Sequence, residues 1–256
     1  MILTDVKASQ IIEDKLLSTK ENNLKKILLI TNTLCSKYSF VANQTYPRPS
    51  HPLEEKRTDS YFTLVAILLS LRTTLENEIK AVDNFRDKYK TIKDVQNSNI
   101  EELARVIKSA GMPLKKAKSI KQVTEYIINN YNGNISNIKN NNIDKMKNNL
   151  LRMPGVGEKT ADCMLELGFD MPSMVVDVNV FRVISRIFAF SWANRPNFNN
   201  SHQILEIKKF LDGVLPKDYL IHQIIHTMIL LHGKYVCKSV PKCNECILKN
   251  KCNYKK

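Results

Sequence analysis

Residues 150–161 read LLRMPGVGEKTA. Leu150 and Leu151 end one apolar helical pattern, Pro154, Gly155 and Gly157 break the chain sharply, and a second helix is predicted over about 158–168. Paired glycines let a backbone approach another molecule closely, and exposed amides at a helix start suit a phosphate. Gly155, Val156 and Gly157 are therefore candidates for a backbone phosphate clamp, although such a turn also occurs as plain chain geometry. Lys159, in the first turn of the second helix, adds positive charge there.

Working outward, the hydrophobic pattern is helical nearly everywhere, with short turns at Gly, Pro and Asn, and the expected fold class is all-α. Two helices are predicted within about 10–38. One from Tyr61 is apolar almost all round, as a central buried helix should be. Others are predicted at about 75–89, 99–109, 115–131, 144–152, 201–212 and 218–232, the last closed by Gly233. Residues 43–59 hold Pro47, Pro49 and Pro52 and read as a loop or linker. The Asn-rich stretch 129–149 reads as a solvated connection. Residues 175–189, VVDVNVFRVISRIFA, fit a strand through Val176, Val178 and Val180 and a helix through Val176, Val180, Val183 and Ile187. Local pattern leaves that choice open.

The chain has 256 residues, 43% of them hydrophobic, so a sizeable core is available. Its 39 Lys and Arg against 25 Asp and Glu leave a net charge of +14, which favours polyanions and makes nucleic acid the leading partner. Charged residues interrupt the N-terminus too often for a signal peptide, and the run from Tyr61 to Leu71 is too short to span a bilayer. A soluble, intracellular monomer with no membrane partner is expected. No Lys-Ser/Thr phosphate loop and no HExxH are present, which argues against nucleotide binding and a metalloprotease site.

Four of the six cysteines, Cys237, Cys243, Cys246 and Cys252, fall in the last twenty residues. Four thiolates can hold a zinc ion or a 4Fe-4S cluster. Zinc folds usually present two close cysteine pairs, whereas here only Cys243 and Cys246 are close, which favours the iron–sulfur cluster. Cys35 and Cys163 lie in apolar sequence and read as ordinary buried thiols.

MPGVGEKTAD at 153–162 resembles the helix-hairpin-helix of the endonuclease III family, VVDVNVFRV at 175–183 resembles the same family's aspartate motif, and LLHGKYVC at 230–237 resembles its approach to the cysteine cluster. The likeness runs from about Tyr61 to the C-terminus. It implies two helical lobes with a DNA-binding cleft between them: a middle lobe of about 60–171, and a second lobe in which 1–59 packs with 172–256. It implies a base-excision glycosylase with abasic-site lyase activity, acting on double-stranded DNA that carries a damaged base, an oxidised pyrimidine, or an abasic site.

By the same resemblance Lys159 holds the nucleophile's position and Asp177 the catalytic aspartate's, facing each other across the cleft. A neutral amine can attack the sugar's anomeric carbon and form an iminium adduct, so partial burial around Lys159 is expected. A solvated lysine and a helix N-cap are the plain alternatives for these two residues. Arg72 stands where the family fills the gap left by an extruded base, and Met112, flanked by Pro113 and Leu114, where it inserts a wedge. A phosphate-binding arginine and a helix cap at Gly111 are the alternatives there. Lys115, Lys116, Lys118 and Lys121 read as strand anchors or a solvated face, and Lys238 and Lys242 as charges that the cluster loop offers to DNA.

Two departures stand out. Asn179 occupies a position commonly held by His, as in adenine- and mismatch-directed relatives, and the first cysteine gap is one residue short. A monofunctional glycosylase and a non-catalytic helix-hairpin-helix protein are the alternative functions.

Overall fold

The computed structural model describes residues 5–45 and 59–254. Along the chain the helices are α1 (Asp5–Leu17), α2 (Asn22–Thr45), α3 (Ser60–Ser70), α4 (Leu75–Lys88), α5 (Ile92–Asn97), α6 (Ile100–Val106), α7 (Pro113–Tyr131), α8 (Ile143–Leu151), α9 (Glu158–Cys163), α10 (Val178–Ile187), α11 (Ser201–Val214) and α12 (Tyr219–Tyr235). Among the described residues there is no strand, and no helix is long and apolar enough to cross a membrane. The prolines expected to interrupt 43–59 lie outside the described residues, and α2 reaches Thr45.

The chain divides into two compact units, one drawn from residues 47–171 and the other from 2–46 with 172–256. In the first, α3 is buried on nearly every side, as its composition predicts, and Asp59 caps it by accepting from the Tyr61 amide. The Tyr61 hydroxyl meets Thr124 Oγ1 at 2.7 Å, tying α3 to α7 inside the core. In the second, α1 and α2 pack on α12, and the core joins Ile12, Leu28 and Leu34 to Val180, Ile184, Ile225 and Ile229. Phe181 stacks on Trp192 with ring centroids 5.0 Å apart, closing that core's edge.

Several readings need correction. The Asn-rich stretch is not simply a solvated connection: Ile135 and Ile138 are buried in a 3-10 turn, and Met146 and Leu150 in α8. Its asparagines close helix ends, for Asn132 takes the left-handed conformation after α7 and Asn142 caps α8 through the Lys145 amide. Short polar side chains suit both jobs. The helix predicted over 99–109 is α6 followed by a separate 3-10 turn, Lys108–Ala110, and α5, which sequence reading missed, opens with a reciprocal Thr91–Asp94 capping box. The helix predicted over 158–168 is α9 continued by a π-type turn, Met164–Gly168. In 175–189 the helix prevails, because Asp177 terminates the extended run by capping α10.

Gly233 does not close α12, which continues through it to Tyr235. Its role is close approach: a Cβ there would lie 2.7 Å from Asn179 Cβ and 3.2 Å from Asn179 Cα, at the start of α10. Gly233→Ala gains about 1 kcal/mol of helix propensity, but the overlap costs about 1–3 kcal/mol because backbone must shift. A net loss of stability is expected in urea titration.

Candidate functional site

The hairpin is built from α8, the turn 152–157 and α9. Gly155 has φ +78°, open to glycine at little cost, and a Cβ there would lie 3.4 Å from Ser119 Cβ on α7. Val156 is buried and its amide donates to the Met153 carbonyl at 3.1 Å, so its side chain serves the turn, whereas Gly155 and Gly157 are exposed. Lys147 on α8 braces the hairpin, reaching Glu158 at 2.6 Å and the buried Asp162 at 2.8 Å. Lys159 stands exposed in the first turn of α9. The partial burial expected around it is not supplied by the chain itself.

In the same unit, Arg72 is exposed just past α3 with φ 53°, and Met112 follows Gly111 (φ 75°) with φ 48°. Met112 is 42% exposed and Leu114 56%, with Pro113 at the first turn of α7. Lys115 and Lys118 are exposed. Lys116 and Lys121 are neither strand anchors nor a solvated face. Lys121 Nζ donates to the carbonyls of Val95, Gln96 and Ser98, closing the end of α5, and Lys116 is buried.

Asp177, in the second unit, is 5% exposed. Its Oδ1 accepts from the amides of Asn179 at 2.9 Å and Val180 at 2.8 Å, and its Oδ2 accepts from Asn179 Nδ2 at 2.9 Å. Asn179 is fixed in turn, since Arg182 donates to its Oδ1 at 2.8 Å and also to the Gly233 and Cys237 carbonyls. The Asn found in place of His therefore orients the carboxylate.

Cys237, Cys243, Cys246 and Cys252 line one cavity of about 70 Å³, shared with Arg186, His232, Leu248 and Tyr254. Burial, and then the neighbouring cysteines, push the thiols of Cys246 and Cys252 up, so a cationic group in the cavity would favour the thiolate forms of these two. The donors fit a thiolate-held metal group, and no carboxylate lines the cavity. Among the described residues, no three His, Cys, Asp or Glu close on a point that a single ion could occupy. Arg186 donates to the Lys238 and Ser239 carbonyls at 2.6 and 2.9 Å and approaches Cys237 Sγ at 3.4 Å. Burial pushes His232 down to about 4, leaving it neutral at pH 7, with Nε2 3.5 Å from Cys246 Sγ and Nδ1 3.2 Å from the Tyr38 hydroxyl. Lys238 and Lys242 are exposed on this loop, Lys242 being 3.5 Å from Glu245.

Arg182, Arg186 and His232 were missed in the sequence. Two arginines four apart in a largely buried helix rich in Val, Ile and Phe were the available signal, because an arginine in such a helix needs carbonyl or thiolate partners.

A family model described as "HhH-GPD superfamily base excision DNA repair protein" matches residues 65–203. Endonuclease III of Rickettsia prowazekii is 32% identical over 222 residues, covering 86% of this chain and 95% of that protein. Endonuclease III of Thermotoga maritima is 31% identical over 204 residues, 79% of this chain and 87% of that protein. Among solved structures, a trapped endonuclease III–DNA covalent intermediate is similar with TM-score 0.69 and 25% identity, covering 91% of this chain and 97% of that one. A thermostable thymine-DNA glycosylase is similar with TM-score 0.70 and 26% identity, covering 91% and 98%.

Asp177 carries a structural load of its own. Asp177→Ala is expected to cost about 1 kcal/mol through the lost cap, measured by urea denaturation, while Asp177→Asn, which retains an acceptor oxygen, should lose markedly less.

Proposed function

The chain belongs to the HhH-GPD superfamily of base excision DNA repair proteins, and within it to the endonuclease III family; on that premise we propose that it removes a damaged base, an oxidised pyrimidine, from double-stranded DNA and then nicks the strand. The observation that carries the reading is Lys159, a solvent-accessible amine two residues past Gly157, at the position where the resemblance puts the nucleophile. In its neutral form the Nζ lone pair forms a bond to the sugar's anomeric carbon as the glycosidic bond breaks and the base leaves with that electron pair. Ring opening gives an iminium. Removal of a proton from the adjacent carbon then expels the 3′ phosphate by β-elimination, and water releases the enzyme.

Asp177 is the carboxylate of the reaction, assisting proton transfer or stabilising positive charge that develops on the sugar. Its cap bonds orient it before substrate arrives. Gly155 and Gly157 bring backbone close to a phosphate, with Val156 shaping the turn, while Arg72 enters the gap and Met112, with Pro113 and Leu114, wedges the duplex. Lys238 and Lys242 add charge to the cluster loop. The protein acts inside the cell as a monomer on DNA.

Cys237, Cys243, Cys246 and Cys252 would hold a 4Fe-4S cluster, whose cationic irons stabilise the four thiolates and so fix the loop. Sulfurs that ring a cavity suit a polynuclear cluster better than a single zinc ion.

Asn179 favours one second reading, a mismatch-directed glycosylase that releases a base and leaves the strand intact.

Borohydride added during reaction on a thymine-glycol duplex is expected to trap a covalent protein–DNA adduct, and Lys159→Ala to abolish it. An adduct that persists in the variant removes Lys159 from the nucleophile's role; base release with no nick and no adduct selects the second reading. Purified protein should bind about four irons and as many inorganic sulfides, and Cys246→Ser should lower both along with the melting temperature. Zinc in their place would overturn the cluster.

A further inference from the structure

Lys116 projects from the first turn of α7 and is buried at 6% exposure. Its Nζ donates to the Leu69 carbonyl at 2.7 Å and to the Ala110 carbonyl at 2.8 Å. Each acceptor sits at a helix end, Leu69 in the last turn of α3 and Ala110 at the end of the 3-10 turn after α6, where carbonyls lack partners within the helix. The open carbonyl ends of α3 and of that 3-10 turn thus converge on one ammonium. Burial pulls its pKa down and Glu78 opposes that pull.

The residues just past each acceptor make this contact more than a cap. Three residues beyond Leu69 lies Arg72, and two beyond Ala110 lies Met112, both non-glycine residues in the left-handed conformation. Such residues persist where the surroundings hold them there. Lys121, by contrast, bonds carbonyls of a single segment and joins nothing else. One helical turn along α7 from Lys116, Ser119 lies against the hairpin at Gly155. The first two turns of α7 therefore touch all three segments assigned to DNA in this unit.

We propose that Lys116 is a positioning residue for base extrusion: its ammonium fastens the turn bearing Arg72 to the turn bearing Met112, so that gap-filling and wedging side chains enter the duplex in fixed register. The inference rests on the glycosylase–lyase reading above. Its signature is selective. Extruding a paired, stacked base needs both side chains placed together, whereas an abasic site has no base to unpair.

The full chain and its Lys116→Met variant are compared in single-turnover reactions on two duplexes, one with thymine glycol and one with a preformed abasic site. Rates are taken per borohydride-trappable molecule, so that loss of folded protein cancels. Base release by the variant is expected to fall at least about tenfold, while strand cleavage at the abasic site stays within about threefold. Lys116→Gln, which keeps two N–H donors on a shorter, uncharged arm and disturbs folding less, should show the same selective loss in smaller measure. Equal losses on both duplexes, or none on either, overturn the positioning role alone. A wild-type protein inert on both overturns the function itself, and this inference with it.

Discussion

A helix ends in amides without partners at one terminus and carbonyls without partners at the other, and where such an end is shielded from water the chain itself must supply the partners. Here the closures and the candidate functional groups coincide. Asp177 closes the start of α10, Lys116 closes the ends of α3 and of the 3-10 turn after α6, and Arg182 and Arg186 take the carbonyls just beyond α12. The hairpin is itself a helix end joined to a helix start through Gly155. Groups already held for structural reasons are held rigidly, which is what positioning for chemistry requires.

Asp177 shows the principle most clearly. Burial of a carboxylate is costly unless donors surround it, and two backbone amides and the Asn179 side chain supply them. Asn179 is anchored through Arg182 to the Cys237 carbonyl and to Gly233, and α12 approaches α10 closely because residue 233 has no side chain. The cysteine loop and the aspartate are thereby parts of one hydrogen-bonded assembly. Arg186 and His232 extend it to the sulfurs. Disorder in the loop would thus reach the carboxylate through two side chains.

How much of this was legible in the sequence depends on the kind of signal. The helical period exposed most helices, and the turn at Gly155 and the cluster of four cysteines were readable from residue type and spacing, whereas Asp177 was singled out only through the family resemblance because the local pattern of 175–189 fits strand and helix alike. The lysines of 115–121 were not readable, since a buried ammonium on two carbonyls and a solvated one have the same sequence pattern; only the approach of distant segments separates them. Gly233 misled for a related reason: a glycine near a helix end usually closes it, and here tertiary contact with Asn179 decided instead. The asparagines of 129–149 read as a solvated filler because composition carries no record of which side chains cap and which isoleucines turn inward.

The two groups proposed to react are prepared to different degrees. Asp177 is buried and oriented by the chain, while Lys159 stands in water on a short helix. A hydrated amine must shed its water before it can attack, and the chain alone does not remove that water. An extruded nucleotide would, by covering the amine as the sugar arrives. Nucleotides in an undamaged duplex stay stacked and paired and seldom reach it, whereas a lesion that weakens its own stacking reaches it more readily. Leaving the nucleophile unfinished until extrusion has occurred would make opening of the helix the selective step, and would put the burden of discrimination on the turns that carry Arg72 and Met112.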